Sequence, residues 1–320
     1  MKSTHDETEL SLVVVEREFV ADGVMLLQLR HADGVALPRW SPGAHIDVIL
    51  TPELTRQYSL CGDPADESTW QIAVLREPDG RGGSQFVHDK IALGDTVEVR
   101  GPRNHFELES APRYLFIAGG IGVTPIKTMA ARAEAEGAEW TLTYGGRSRA
   151  SMAFLDELTA HFGDRVTIHP QDEKGLIDLD SLLGTARADT LVYCCGPAPL
   201  LDAVNEGCEH WASGSLHIER FSAKTLTEPD FTGVFEVELA TTGKTIEVQP
   251  DETILDAVTA AGVQVLSSCR EGTCGTCETV VLDGEVEHRD ALLSEDEQAS
   301  NETMMICVSR ARCPRLVLEL

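Results

Sequence analysis

Cys269, Cys274 and Cys277 form a C-x4-C-x2-C run, and Cys307 follows with twenty-nine residues between. Four thiolates at this spacing suit a 2Fe–2S cluster, with three ligands on one tight loop and the fourth from a distant element. The loop reads Ser268-Cys269-Arg270-Glu271-Gly272-Thr273-Cys274-Gly275-Thr276-Cys277. Gly272 and Gly275 let its backbone curl so that N–H groups point at sulfur. The chemistry is one-electron transfer. Two other uses of cysteine fit less well. A zinc site brings paired C-x2-C halves, and only Cys274 and Cys277 form one. Disulfides belong to secreted chains, whereas Met1–Leu10 is acidic and polar with no signal-peptide pattern, and nine cysteines cannot all pair. Cys61, Cys194, Cys195, Cys208 and Cys313 are expected as buried or incidental thiols.

Three further motifs suit phosphates and flat rings. Gly119-Gly120-Ile121-Gly122-Val123-Thr124-Pro125 joins an apolar strand to a helix, where backbone N–H groups can hold a pyrophosphate; packing alone also accounts for such a turn. Arg56-Gln57-Tyr58-Ser59 offers a cation for a phosphate, plus an aromatic and a hydroxyl for a flavin ring; otherwise it is a polar strand end. Gly82-Gly83-Ser84 opens a helix as a second phosphate cradle, or with Ser84 as a plain N-cap. Two phosphate-type sites in one chain strengthen each other. Cys195-Gly196-Pro197 ends a strand, which places Cys195 where ligands of parallel sheets bind. Phe221, at a segment boundary, suits either stacking on a flat ligand or interface packing.

The elements that must position these residues fall into segments. Residues 1–110 carry short alternating strands (Leu10–Glu16, Val24–Arg30, His45–Leu50, Trp70–Leu75, Asp95–Arg100) and one helix at Ser84–Lys90, which predicts an antiparallel barrel. Residues 111–222 alternate strands at Tyr114–Ala118, Glu139–Tyr144, Arg165–His169, Leu191–Cys195 and Leu216–Glu219 with helices at Pro125–Glu136, Met152–His161, Leu179–Leu183 and Pro199–Trp211. That rhythm predicts a doubly wound parallel sheet. A polar linker, 223–231, leads to 232–320. There a hairpin (Phe235–Ala240, Lys244–Val248), a helix at Thr253–Ala261 and strands at Glu278–Leu282 and Arg315–Leu320 predict a small α+β fold.

The 320 residues suffice for two or three domains. A formal net charge of −27 makes nucleic acid and anionic membranes poor partners. No apolar run approaches the roughly 20 residues that span a bilayer, so a cytoplasmic location is expected. Residues 232–320 hold 17 Asp/Glu against 6 Lys/Arg. An acidic face there would steer a basic redox partner; solubility alone is the competing explanation.

Taken together, R-x-Y-S, G-R-G-G-S, G-G-I-G-V-T-P, C-G-P and the cysteine run, in this order and over essentially the whole chain, resemble the phthalate dioxygenase reductase family, which includes vanillate demethylase and carnitine monooxygenase reductases. The resemblance implies an FMN-binding barrel, a nicotinamide-dinucleotide domain and a C-terminal plant-type ferredoxin (β-grasp) domain. It implies that Arg56, Gln57, Tyr58, Ser59, Ala73 and Leu75 hold the flavin, and that Gly82, Gly83 and Ser84 hold the FMN phosphate. It further implies that Gly120, Gly122, Val123, Thr124 and Pro125 take the nucleotide pyrophosphate and that Gly196 and Pro197 flank the nicotinamide. Cys195 would stand beside that ring, Phe221 would cover the flavin, and Cys269, Cys274, Cys277 and Cys307 would ligate the cluster.

One departure concerns the nucleotide. After Tyr144 the chain reads Gly145-Gly146-Arg147-Ser148-Arg149, and some relatives carry Asp where Ser148 stands, for the free ribose hydroxyls of NADH. Arg147 and Arg149 suit the extra phosphate of NADPH; the family habit favours NADH. The implied activity is an NADH-dependent reductase in which a flavin takes a hydride and releases electrons singly to the cluster and then to a terminal oxygenase, a Rieske non-haem iron component. The competing readings are a reductase of a haem-thiolate monooxygenase, a non-turnover iron–sulfur redox sensor, and an FAD enzyme.

Overall fold

The computed structural model describes residues 8–320 apart from 53 and 225, and leaves the side chain at 295 aside. The first seven residues of the expected first domain and one position of the expected linker therefore lie outside the described residues. The chain forms two compact units, one ending at Glu219 and one running from Arg220 to Leu320.

The first unit opens with six antiparallel strands and one helix: β1 (Thr8–Ala21), β2 (Val24–His31), β3 (His45–Thr51), β4 (Leu54–Ser59), β5 (Trp70–Leu75), α1 (Gly83–Lys90) and β6 (Thr96–Arg103). Their order is β4-β3-β6-β1-β2-β5. The two edges meet through a bridge between Leu60 and Ile72, which closes the sheet into a barrel. Alternating residues such as Leu12, Val14, Leu27, Leu29, Ile46, Val48, Val97 and Val99 fill its interior. The first strand is longer than its expected Leu10–Glu16, because register shifts at Val14/Glu16 and Phe19/Ala21 let it bend and keep pairing with β2.

A five-stranded parallel sheet follows within the same unit, in the order β11-β10-β7-β8-β9. Its elements are β7 (Arg113–Gly119), α2 (Val123–Ala135), β8 (Glu139–Gly146), α3 (Leu155–Phe162), β9 (Val166–Pro170), α4 (Gln171–Lys174), α5 (Leu179–Leu183), β10 (Thr190–Cys195), α6 (Ala198–Gly207) and β11 (Leu216–Glu219). Strand order reverses between β7 and β10, so the carboxyl ends of those two strands form the crevice where such sheets bind ligands. One apolar cluster joins barrel to sheet: Val24, Leu26, Cys61 and Ala73 pack with Phe116, Val123, Ile126 and Tyr144. The helix expected from Met152 starts only at Leu155, because Phe154 before it is left-handed (φ 61°).

The second unit is a mixed sheet, β13-β12-β18-β14-β16, beside a short β15-β17 ribbon. Its elements are β12 (Phe235–Leu239), β13 (Lys244–Val248), α7 (Ile254–Ala260), β14 (Glu278–Asp283), β15 (Val286–Glu287), α8 (Glu295–Ser300), β16 (Thr303–Met305), β17 (Arg310–Ala311) and β18 (Arg315–Leu318). Ile254, Leu255 and Val258 of α7 pack on Phe235, Val237, Leu316 and Leu318, and Cys277 and Cys307 belong to the same core. Among the described residues no helix is long and apolar enough to cross a membrane.

Candidate functional site

Arg56 lies midway along β4, and its guanidinium donates to the Arg81 carbonyl in the loop before α1 (2.9 Å). It crosses so closely over Gly83 that a Cβ there would stand 2.4 Å from Arg56 Cγ. Gly82 adopts φ 80°, a left-handed turn that suits glycine. Ser84 is not the N-cap. Helix α1 begins one residue earlier, and the Ser84 hydroxyl instead accepts the Glu77 N–H (3.0 Å), which leaves its own proton to give. A guanidinium, a hydroxyl and the free N–H groups of a helix start thus gather at one spot, the chemistry of a phosphate site.

Next along the strand, Gln57 donates to buried Asp47 (2.7 Å), which also takes a charge-assisted bond from Arg103 (2.6 Å). Asp47 and Arg103 were not singled out in the sequence, since fifty-six residues separate them and only the β3–β6 pairing joins them. Burial pushes the Tyr58 phenol above its usual range, so it stays neutral. Ser59 is buried, and its hydroxyl has no hydrogen-bond partner among the described residues. A buried orphan hydroxyl is costly unless a ligand satisfies it, and the polar edge of a flavin fits. Ala73 and Leu75 lie on β5, which runs beside the Gly120–Gly122 turn; Leu75 and Ile121 pack on the same core.

That turn and the one after β10 interlock. A Cβ on Gly122 would stand 2.2 Å from the Cys195 carbonyl oxygen, and one on Gly119 would meet Pro197 and Leu200 at 2.7 Å. A Cβ on Gly196 would stand 3.0 Å from Gly119 Cα. Backbone therefore packs on backbone at the strand-order reversal, the place where such sheets take a pyrophosphate, although the Val123 N–H at the start of α2 is already given to the Gly120 and Ile121 carbonyls. Thr124 is buried and donates its hydroxyl to the Ile121 carbonyl (2.9 Å), which fixes the first turn. Helix α2 begins at Val123, two residues before the expected Pro125, because proline is tolerated within a first helical turn.

Cys195 pairs in register with Ala118 of β7 and Glu219 of β11. Its thiol donates to the Glu219 carboxyl (3.9 Å). Burial raises both groups, Glu219 to about 8, so both stay uncharged near neutral pH. Glu219 escaped the sequence reading; its signal was its place at the end of the last parallel strand.

At the carboxyl end of β8, Arg147 is exposed, and Ser148 and Ser151 cap a single helical turn reciprocally. Arg149 pairs with Glu173 of α4 (Nε to Oε1 2.9 Å). The two arginines expected to act together thus differ: Arg149 already holds a carboxylate. Phe221 lies past Glu219, at the start of the second unit, and is 44 % exposed.

In the second unit Cys269, Cys274, Cys277 and Cys307 are all buried. Cys269 Sγ accepts the N–H groups of Glu271 (3.3 Å) and Thr273 (3.4 Å), and Cys274 Sγ accepts that of Cys269 (3.5 Å). The curl rests on positive φ at Arg270, Gly272 and Gly275. Gly272 is the tightest: a Cβ there would meet Val308 Cγ2 at 2.5 Å and Asp290 Cα at 3.0 Å. The four thiols crowd one another, which pulls Cys269 and Cys277 down and pushes Cys274 and Cys307 up. Such a set gives up its remaining protons when a cation replaces them. No three His, Cys, Asp or Glu side chains among the described residues converge on one metal position. A binuclear cluster, which divides four thiolates two per iron, does not need them to.

Comparison with known proteins agrees part by part. Residues 237–312 match the 2Fe-2S iron-sulfur cluster binding domain, 116–206 the oxidoreductase NAD-binding domain and 11–108 the oxidoreductase FAD-binding domain. Phthalate dioxygenase reductase of Burkholderia cepacia is 37 % identical over 325 residues, covering 100 % of both chains. A solved phthalate dioxygenase reductase superposes with a TM-score of 0.72 at 38 % identity, covering 98 % of each chain. The chain belongs to the phthalate dioxygenase reductase family.

Within that family, the phenoxybenzoate dioxygenase subunit beta of Ectopseudomonas oleovorans is 45 % identical over 97 % of both chains. An intact type IV self-sufficient cytochrome P450 monooxygenase contains a region superposing with a TM-score of 0.92 at 46 % identity; this chain spans 41 % of that longer protein. As a phthalate dioxygenase reductase relative, the chain is an oxidoreductase whose domains serve a flavin, a nicotinamide nucleotide and a 2Fe–2S cluster.

Proposed function

We propose that this reductase carries electrons from NADH, through FMN and then the 2Fe–2S cluster, to a terminal oxygenase of the Rieske non-haem iron type in the cytoplasm. The observation that carries the reading is the meeting of two binding places in one unit. The Arg56–Gly83 cradle with Ser59, and the interlocked Gly122–Cys195 turns, are joined by β5 and one apolar core. A flavin and a nicotinamide held there supply hydride transfer and its division into single electrons. The protein contributes position and a neutral surrounding. Cys195 and Glu219 stay uncharged, so no fixed ion beside the nicotinamide opposes the movement of charge.

The gathering of Arg56, Ser84 and the start of α1 at one spot suits a terminal phosphate and supports FMN over FAD, and the names of relatives, which are subunits of mono- and dioxygenase systems, support an oxygenase partner. The domain division we propose is 1–110 for FMN, 111–222 for the nucleotide, 223–231 as linker and 232–320 for the cluster. A second reading, delivery to a haem-thiolate monooxygenase, is favoured by the 46 % identity to the reductase-like part of a self-sufficient P450. Anaerobic titration with NADH tests the proposal. Bleaching of flavin and cluster bands together, followed by reoxidation on adding a Rieske oxygenase, is expected. A cluster that stays oxidised overturns it, and reoxidation by a haem-thiolate enzyme alone moves the partner to the second reading.

A further inference from the structure

The carboxyl end of β8 reads no acidic residue, only Arg147-Ser148-Arg149, yet the fold brings one there from another element. Helix α4 is tied to the ends of β8 and β9 by hydrogen bonds. Asp172 N–H donates to the Arg147 carbonyl (3.1 Å), and Lys174 Nζ donates to the Ile168 carbonyl (2.6 Å). This tether sets Glu173 against Arg149, Nε to Oε1 2.9 Å, with both side chains about half exposed. Arg147, two residues before Arg149, is exposed.

In doubly wound sheets the ribose next to adenine is read at the carboxyl end of the second strand. A carboxylate takes free hydroxyls and an arginine takes a 2′-phosphate. Building on the reading of the chain as a nicotinamide-dependent reductase, we propose that Glu173 sets the nucleotide preference. Its carboxylate occupies Arg149 and places a negative charge where the 2′-phosphate of NADPH would lie. A like charge at that distance disfavours the dianion, and the neutralised Arg149 offers it no compensating fork. Arg147 is then the cation left for the ribose side of this strand end, on the turn whose carbonyl takes the Asp172 N–H. NADH brings no phosphate there, so the pair costs it nothing.

The decisive variant is Glu173→Gln, which frees Arg149 while keeping size and polarity; the position is exposed, so the fold does not depend on it. Calorimetry with 2′,5′-ADP and with ADP reads the phosphate without any turnover. Flavin bleaching by NADPH and NADH gives the kinetic ratio. In E173Q, binding of 2′,5′-ADP tightens at least tenfold and the NADPH/NADH ratio of kcat/KM rises equally, with ADP and NADH changed less than threefold. Adding Arg149→Ala to E173Q abolishes the gain. Unchanged ratios in E173Q, or a gain that survives R149A, overturn the assignment. If neither nucleotide bleaches the flavin of the unmodified protein, the reductase reading fails instead.

Discussion

The Cys195 thiol donates across the β10–β11 pair to the carboxyl of Glu219, 3.9 Å away, and neither group carries charge near neutrality. An acid that keeps its proton in the folded chain but loses it when unfolded leaves a mark on stability. Burial moves Glu219 from its ordinary value near 4.5 up to about 8. Between those two values the folded state holds a proton that the unfolded state has released, so stability falls as pH rises, by at most about 1.4 kcal/mol per pH unit, and levels off above 8. Glu219→Gln removes this dependence. Melting temperatures from pH 5 to 9 should flatten in E219Q and exceed those of the parent at pH 8; parallel profiles would contradict the burial of an uncharged acid.

Gly122→Ala drives a methyl group to within 2.2 Å of the Cys195 carbonyl oxygen, backbone against backbone. The two turns must part by an ångström or more, and such a shift in a reacting geometry costs on the order of a hundredfold in rate. Hydride transfer from NADH should fall at least that far while flavin and iron contents remain stoichiometric. Stopped-flow flavin reduction at saturating NADH reads it directly.

Removing Arg56 tests the cradle at α1. A hydrogen bond to a charged group contributes about 1.5–3 kcal/mol, so Arg56→Ala should weaken flavin binding roughly ten- to hundredfold. Loss of flavin on gel filtration, reversed by adding FMN and not FAD, is the expected behaviour. Equal recovery with FAD would make the protein an FAD enzyme.

Gly272→Ala separates the two halves of the electron path. A left-handed alanine costs about 1–2 kcal/mol, and here the methyl also collides with Val308 and Asp290. The cluster should be lost or unstable. NADH-driven reduction of ferricyanide, which the flavin serves, should persist, while reduction of cytochrome c through the cluster should fall at least tenfold.

Much of this was legible from residue spacing because the governing interactions are local. Strands Trp70–Leu75 and Leu216–Glu219 and helix Leu179–Leu183 carry their own apolar periodicity and stand where expected. The cysteine loop announces itself because all its curvature lies within nine residues. What stayed hidden depends on distant pairing. Asp47 meets Arg103 only through the β3–β6 register, and Glu219 meets Cys195 only through parallel strands. Glu173 reaches Arg149 because α4 is tethered beside β8. The stretch between β14 and β18 was also unread: β15 and β17 are two residues each, too short for any period, and α8 sits in an acidic stretch that resembles a loop. One signal was there, since Ser294 and Glu297 form a reciprocal capping box, the pattern that opens helices.

All four cysteines we propose as cluster ligands, and the apolar core that includes Cys277 and Cys307, belong to the unit beginning at Arg220. The redox centre is therefore inherited whole. A gene fusion that joins this reductase to a different catalytic module need not rebuild the ligand set, because no residue of the set is borrowed from elsewhere in the chain. The thiols and the core that holds them can therefore be moved as one continuous piece of chain.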